Sequence, residues 1–272
     1  MHAPYHAPYW IALLVGIASG SVGPFILLRR MALVGDALSH VALPGIALAL
    51  VYRLDPFYGV IVFLTAAAFL IFWLEGRSSV PPDAIVGLLF TASLAIGILI
   101  MPDTEVIESL FGAFPVLSFP FLLLILSAAT VLSLLCFILT KRFLFVIVSP
   151  ELAKVHGLGR GYDLSLLLIF AMIVALGIKL AGTLLMGALT IIPASIAKNL
   201  TRSMRLYVIV SSLLGGAISV GGVWIADALR FPPGPSIVLL GVGLFLISLP
   251  IAQKGRRDGR KAGPCGGVKG SQ

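Results

Sequence analysis

The chain has 272 residues, of which 59% are hydrophobic and only 11% are charged, and its formal net charge is +8. A soluble domain carries about 25% charged residues, and a water-soluble globule of this composition would have too few polar side chains to cover its surface. The composition therefore excludes a soluble enzyme, a nucleic-acid-binding protein and a disordered protein. It predicts an all-α, polytopic helical membrane protein with one membrane domain.

Nine apolar runs are long enough to cross the hydrocarbon layer of a bilayer, which is about 30 Å thick. Polar residues, glycines and Pro44 interrupt the second run, so we do not expect it to form a regular helix. The stretch 163–197 is too long for one span and just long enough for two short ones, and eight spans is the alternative count. The runs lie at 9–28, 31–52, 56–74, 84–101, 117–140, 163–180, 181–197, 206–227 and 235–252.

The positive charges orient these spans, because Lys and Arg are enriched in cytoplasmic loops. If the N-terminus lies outside and nine spans alternate, all but three of the 19 Lys and Arg residues fall on the inner side. The exceptions are Arg53, Lys179 and Arg230. The distribution predicts a protein of the cytoplasmic membrane with its N-terminus outside and its C-terminus in the cytoplasm, and it explains the net charge without a nucleic-acid partner.

The predicted membrane domain spans residues 1–253 and is followed by a tail. The N-terminus has no basic region and no small-residue cleavage site, so we interpret the first apolar run as a retained span and not as a signal peptide. Residues 254–272 are rich in Gly, Lys and Arg. This composition predicts a disordered cytoplasmic tail that at most touches anionic membrane lipid.

Small residues recur four apart on two of the predicted spans. Gly16 and Gly20 lie on the first, and Ser211, Gly215 and Ser219 lie near the end of the chain. This spacing lets helix backbones approach closely in lipid. It predicts a tightly packed bundle.

The strongest chemical signal is the segment 29–45, which contains Asp36 and His40. Residues four apart on a helix share a face, with their Cβ atoms about 6 Å apart. An Asp placed centrally in a span costs about 2.5–3.5 kcal/mol on insertion scales, so it normally faces a cavity or a partner. Carboxylate oxygen and imidazole nitrogen are ligands that Zn²⁺ and Mn²⁺ accept.

Two interpretations of this pair are open at the level of sequence. In the first, Asp36 and His40 are metal ligands, and two copies of the chain around a two-fold axis supply four ligands near the middle of a shared pathway. In the second, they satisfy each other and brace a kinked helix, with Ser39 as a further partner. Pro44 breaks the hydrogen-bond ladder beyond His40, and irregular backbone at membrane depth is tolerated where it lines a cavity or is buried in protein.

Polar residues on the predicted outer side give weaker signals. Asp103 and Glu105 form, together with Glu108, an acidic patch that either attracts cations or is an ordinary acidic loop. Asp227 borders an outer loop that is either a gate or docking surface, or a solvated turn. Lys179 lies near the outer end of its span, where its side chain is expected to reach the interface.

A short helix is predicted in the inner loop that follows the fifth run. Ser149 can cap it, Pro150 suits its first position and Glu151 complements its positive end, while Gly157 or Gly159 can end it. A helix this short buries little by itself, so it either packs on the ends of its own bundle or docks on a cytoplasmic partner. The candidate docking residues are Ser149, Pro150, Glu151, Leu152, Ala153, His156 and Gly157.

Two motifs of membrane enzymes and ATPases are missing. The sequence has no Gly-x4-Gly-Lys-Ser/Thr phosphate loop, so the chain is not expected to bind and hydrolyse ATP in the usual manner. It has no His-Glu-x-x-His motif of a zinc protease, and no nucleophile lies beside a base. We therefore predict a transport subunit and not an enzyme, with no permanently bound cofactor.

Several of these segments together resemble a known family. The segment 29–45 followed by Asp55-Pro56-Phe57-Tyr58 resembles the beginning of the permease subunits of metal-ion ABC importers of the zinc, manganese and iron type. Residues 149–157 are similar to the cytoplasmic coupling loop of that family, 182–194 to its next recurring segment, and 234–238 to its pattern before the last span. The matches run in register from about residue 10 to residue 250.

The resemblance implies a bundle of the type II ABC importer class that forms a homodimer. It also implies two cytoplasmic ATPase subunits and an extracytoplasmic metal-binding protein as partners. Asp36 and His40 would be ligands of the transported metal, and a helix within 149–159 would couple to the ATPase. Zinc is favoured over manganese as the transported ion.

Two other transport functions compete with this one. A secondary cation transporter, driven by an ion gradient, can also use an intramembrane Asp and His, but it does not need the short inner helix. An ABC permease for a metal chelate shares the architecture, and in it the Asp36–His40 pair would be a brace.

Overall fold

The computed structural model describes residues 7–100, 119–156, 159 and 161–261, and all regular secondary structure in these ranges is helical. This confirms the all-α prediction. The helices are α1 (Ala7–Leu28), α2 (Val34–Val51), α3 (Pro56–Glu75), α4 (Pro82–Ile100), α5 (Phe119–Val148), α6 (Pro150–Val155), α7 (Gly161–Ala181), α8 (Thr183–Leu200), α9 (Met204–Leu229) and α10 (Pro233–Lys261).

Eight helices in the described ranges are long and apolar enough to cross a membrane. The nine predicted runs each coincide with a helix. The run at 181–197 falls in α8, whose apolar part, Leu185–Leu200, is shorter than the other eight. The difference between eight and nine spans therefore concerns α8 alone.

Helix α1 packs against α9 through the small residues that the sequence analysis singled out. A Cβ atom added at Gly16 would lie 2.8 Å from the carbonyl carbon of Gly215, so the two backbones are in direct contact. The hydroxyl of Ser211 donates a 2.6 Å hydrogen bond to the carbonyl oxygen of Gly20. The predicted close approach is confirmed, and the helices are joined by backbone contact as well as by apolar side chains.

Helix α2 is continuous from Val34 to Val51, with Pro44 inside it. Our expectation of an irregular second span is therefore wrong. Neighbouring helices pack against α2 around the proline. Helix α4 approaches at Gly97, where an added Cβ would lie 3.7 Å from the Pro44 side chain, and α3 meets α2 backbone to backbone at Gly45 and Gly59. Proline is tolerated inside membrane helices when the surrounding helices compensate in this way.

Two helix breaks have clear backbone causes. Arg30, between α1 and α2, has a left-handed φ of 59°. Gly182, between α7 and α8, has φ 78° and ψ 172°, a conformation that is essentially restricted to glycine. Gly182 therefore divides the long apolar stretch 163–197 into two helices, as the length of that stretch predicted.

Ion pairs and hydrogen bonds define the two ends of the bundle. The Arg29 guanidinium lies 3.2 Å from the Glu75 carboxylate and 3.3 Å from that of Asp163, which joins the end of α1 to the end of α3 and the start of α7. At the opposite end of α1, the Tyr9 hydroxyl donates to the Asp227 carboxylate at 3.2 Å. The start of α2 and the short helix α6 lie at the Arg29 end, and Asp227 lies at the other.

The C-terminal helix extends further than expected. Helix α10 continues to Lys261, so residues 254–261 are helical, whereas the composition had predicted a disordered tail from 254. The last eleven residues of that predicted tail, 262–272, lie outside the described ranges.

The contact between α1 and α9 predicts a loss of stability in Gly215→Ala. The added methyl would collide with the Gly16 carbonyl group, and overpacking of this kind costs about 1–3 kcal/mol. We expect thermal unfolding of the detergent-solubilised protein to begin at a lower temperature. Gly243→Ala is the matched control, because no atom lies within 4 Å of its added Cβ, and it should leave unfolding unchanged or raise its temperature. Equal effects of the two substitutions would contradict this packing account.

Candidate metal-transport site

Helix α2 places Asp36 and His40 on its one open side. The residues between and beside them, including Gly35, Leu38 and Ser39, are buried, whereas Asp36 is exposed and His40 is partly exposed. The two side chains are one helical turn apart and therefore share a face. This is the face of α2 that other helices of the same chain cover least.

Asp36 lies in the first turn of α2, so our placement of it centrally in a span is wrong. The peptide dipoles of a helix concentrate positive charge at its N-terminus, which stabilises a carboxylate in that turn by about 0.3–1 kcal/mol. The helix dipole therefore favours the ionised form of Asp36 at this position. His40 lies deeper, by one turn.

Helix α8 forms the wall against which Asp36 rests. A Cβ atom added at Gly187 would overlap Oδ1 of Asp36 and would lie 2.8 Å from its Cγ and 3.0 Å from its backbone nitrogen. Gly35 of α2 is equally close, since its added Cβ would lie 3.1 Å from Cα of Gly187. Only a residue without a side chain leaves room for the Asp36 carboxylate at this crossing.

Helix α4 covers His40. The imidazole ring of His40 packs edge to face with the ring of Phe90, with the centroids 5.0 Å apart and the planes at 81°. Nδ1 of His40 is buried and has no hydrogen-bond partner in the part of the chain that the structure describes.

The described residues show no hydrogen bond that would support the predicted bracing of Asp36 against His40. The Ser39 hydroxyl donates to the carbonyl oxygen of Gly35 at 2.8 Å and is buried, so it is bonded within its own helix. Within the described ranges no hydrogen bond or ion pair joins Asp36 to His40, and no group of three or more His, Cys, Asp and Glu side chains is close enough to hold a metal ion. One protomer therefore offers two donor groups on one open face.

The short inner helix exists where the sequence predicted it. Helix α6 spans Pro150–Val155, and the carbonyl oxygen of Ser149 accepts from the backbone N–H of Ala153 at 2.9 Å. Ala153 is buried, while Leu152 is 56% and Val155 is 83% exposed. The helix thus rests on the bundle through Ala153 and leaves two apolar side chains exposed. It is therefore not fully packed on the helix ends of its own bundle, which was one of the two predicted alternatives.

Two contacts connect the helix ends around α6. The ring of His156 packs edge to face with Phe145 of α5, with the centroids 5.8 Å apart. The guanidinium of Arg142, also on α5, donates to the hydroxyl of Tyr162 on α7 at 3.0 Å. The ends of α5 and α7 that adjoin α6 are therefore joined to each other, and His156, just after α6, contacts α5.

Of the remaining predicted site residues, the structure describes only the side chain of Asp227, which lies apart from these groups. Asp103 and Glu105 lie in the range 101–118, outside the described residues, as do Gly157 and the side chain of Lys179. Asp227 accepts a hydrogen bond from Tyr9 at the end opposite α6.

Sequence reasoning missed two residues that contact the pair, Gly187 and Phe90. Neither residue stood out in the sequence, because Gly187 is a glycine in the apolar run 181–197 and Phe90 is an aromatic residue in the apolar run 84–101.

The helical bundle and its polar pair define a polytopic membrane transport protein. The chain belongs to the ABC 3 transport family, whose pattern matches residues 5–252. This confirms the family resemblance seen in the sequence, and it argues against the secondary transporter as an alternative.

Individual relatives are similar over nearly their whole length. The manganese import system permease protein ScaB of Streptococcus gordonii is 32% identical over 255 residues, 92% of each chain. The high-affinity zinc uptake system membrane protein ZnuB of Haemophilus influenzae is 31% identical over 252 residues, 88% of this chain and 95% of that one.

Solved structures share the fold. PsaBC from Streptococcus pneumoniae in complex with Fab matches with a TM-score of 0.81 and 33% identity over 94% of both chains. A putative metal-chelate type ABC transporter in an inward-facing conformation matches with a TM-score of 0.73 and 19% identity, a likeness of fold alone. The predicted ABC importer architecture is confirmed.

The wall at Gly187 predicts that Gly187→Ala displaces the Asp36 carboxylate. Disturbing a group that orients a metal ligand typically costs about 10- to 100-fold in metal affinity or activity, and we expect a loss of this order in metal uptake. Gly87→Ala on α4 is the control, because its added Cβ meets no atom within 4 Å. Normal uptake by the Gly187→Ala variant would show that the position of the carboxylate is not constrained there.

Proposed function

We propose that this chain is the membrane permease subunit of an ATP-driven importer for a divalent transition-metal ion, with Asp36 and His40 as the ligands of the ion in transit. The observation that supports this most strongly is that both donors lie on the least covered face of α2. Relatives of similar length are named for manganese import and for zinc uptake, which supports Mn²⁺ and Zn²⁺ as the two substrates to test.

The chemistry of the pair suits a passing ion. Mn²⁺ accepts oxygen donors and imidazole, and Zn²⁺ accepts both with bond lengths of about 2.0–2.2 Å. Two donors from one protomer are too few for a closed structural site. We infer that a second copy of the chain places its own open α2 face opposite the first, so that two Asp36 and two His40 side chains share the ion.

Helix α6 is the proposed contact with a cytoplasmic ATPase subunit. The exposed side chains of Leu152 and Val155 supply an apolar surface, and Glu151 adds a negative charge in the first turn. A helix of six residues with such a surface is stable only because the bundle holds it at Ala153, and a partner groove would cover the rest.

Transport then follows from motion of α6. ATP-driven closure of the ATPase subunits would shift α6, and the contacts of Arg142 with Tyr162 and of Arg29 with Asp163 carry that shift through α7 to the end of α1. The turn that contains Arg30 leads directly from there into α2. Alternating access requires such a two-state rearrangement, which exposes the ion first to one side of the membrane and then to the other.

An extracytoplasmic metal-binding protein is the proposed source of the ion. It would dock on the end of the bundle opposite α6, where Asp227 lies and where the outer loops are predicted. In this orientation the N-terminus is outside and the C-terminus is cytoplasmic.

The ligand assignment predicts that Asp36→Asn and His40→Ala each abolish uptake of radioactive Mn²⁺ or Zn²⁺ while the protein still inserts and assembles. The amide keeps the size of the carboxylate but removes its charge, and alanine removes the imidazole nitrogen. Ser39→Ala is a control between the two, since its hydroxyl is bonded within α2, and it should transport normally. Wild-type uptake in both ligand variants would remove the assignment.

The docking assignment predicts that Glu151→Lys weakens co-purification of the ATPase subunits and lowers coupled ATP hydrolysis. Surface charge pairs are individually worth about 0–1 kcal/mol, so reversal should weaken the complex without abolishing it, and Leu152→Asp should weaken it more. Asp227→Lys is the control, because the same reversal at the opposite end of the bundle should leave the ATPase bound. An undiminished complex in both α6 variants would count against docking at α6.

A further inference from the structure

We infer that the exposed face of α3 is a binding site for an anionic phospholipid, with one acyl chain in a groove that ends at Trp73 and the lipid phosphate on the guanidinium of Arg77. The site is separate from the residues that we propose to bind the metal ion. Three properties of this face support the inference: the shape and polarity of the groove, its length, and the positive charge at one of its ends.

An open groove of about 650 Å³ runs along α3 from Ile61 to Trp73, and in the described part of the chain only α3 residues line it. Six of its seven lining residues are apolar. Val62, Ala66, Phe69 and Trp73 follow one another at spacings of three or four, so they share one face of the helix. The small side chain of Ala66 leaves a depression in this face, and its apolar lining suits a hydrocarbon chain.

The groove is about as long as one lipid leaflet is thick. Ile61 and Trp73 are twelve residues apart on one helix, which corresponds to about 18 Å at a rise of about 1.5 Å per residue. Half of the hydrocarbon layer of a bilayer is about 15 Å thick. An acyl chain that begins at the Arg29 end of α3 can therefore lie in the groove along its whole length.

An aromatic ring and a positive charge mark the Arg29 end of the groove. The central carbon of the Arg77 guanidinium lies over the Trp73 ring, 4.5 Å from its centroid. Glu75, the nearest carboxylate along the chain, is paired with Arg29, and among the described residues the Arg77 side chain has no hydrogen bond or ion pair. Tryptophan is enriched at the headgroup level of membranes, and a guanidinium binds phosphate. Arg77 therefore offers free N–H donors to a headgroup at the depth where Trp73 lies.

A phospholipid fits this arrangement better than a second copy of the chain does. It supplies an anionic phosphate at headgroup depth and an acyl chain beneath it, which is the relation of Arg77 to the groove. A second copy would have to place an acidic side chain at Arg77, and we propose that it lies against the face of α2 that carries Asp36 and His40.

Native mass spectrometry of the purified transporter tests this inference, with phosphatidylglycerol and phosphatidylcholine of the same acyl chains as the two probes. We expect phosphatidylglycerol to bind more tightly. Arg77→Gln should weaken its binding about fivefold, which is the effect of one basic residue near a membrane surface, and should change phosphatidylcholine binding much less. Arg205→Gln is the matched control, because it removes the same charge from the first turn of α9 at the same end of the bundle, and it should leave both affinities unchanged.

A second variant tests the groove itself. Ala66→Phe fills the depression and should weaken binding of both lipids, whereas Ala66→Ser should not. Equal binding of the two lipids by the unmodified protein, or equal losses in Arg77→Gln and Arg205→Gln, would overturn the inference. Unchanged lipid binding in Ala66→Phe would overturn it as well, and loss of a dimer of the chain in that variant would then assign the groove to a second copy. None of these outcomes depends on whether Asp36 and His40 bind metal.

Discussion

The structure depends on one constraint, which is that α2 must be closely packed by other helices on every side except the one that carries Asp36 and His40, which they cover only in part. Glycines achieve this burial, because α3 meets α2 at Gly59 and α8 meets it at Gly187 with no side chain between the backbones. In lipid, where apolar side chains gain little by leaving the solvent, such close contacts and the dispersion energy they provide are the main source of helix association. The same glycine at 187 that lets α8 approach also makes room for the Asp36 carboxylate, so packing and the candidate site are set by one contact.

A mechanical connection links this site to the cytoplasmic end that we propose for α6. Arg29 joins three helix ends by two ion pairs whose side chains are largely shielded from solvent, and breaking such a pair leaves an uncompensated charge that is costly. The helix ends around Arg29 therefore move together. The start of α2 lies four residues beyond Arg30, so in the proposed mechanism a movement of these helix ends would reach the site.

Much of this fold was predictable, and the reason is physical. Hydrophobic length determined the spans, the small residues four apart determined the contact of α1 with α9, and the Ser149-Pro150-Glu151 sequence determined the start of α6. The sequence analysis was wrong about α2, because local rules treat Pro44 as a helix breaker and do not include the helices that support it. Periodicity showed that Asp36 and His40 share a face, but Gly187 and Phe90 reach that face from other helices, and a single sequence contains no information on such long-range contacts.

The central claim is that a metal ion in transit lies between the Asp36 carboxylate and the His40 imidazole. Anomalous diffraction from crystals of the assembled transporter loaded with Mn²⁺, recorded on both sides of the manganese absorption edge, tests it most directly. The account predicts a manganese peak on the open face of α2, in direct coordination with a carboxylate oxygen of Asp36 and a ring nitrogen of His40. A manganese peak elsewhere in the membrane region, with the Asp36 and His40 faces of both protomers turned to lipid, would contradict it.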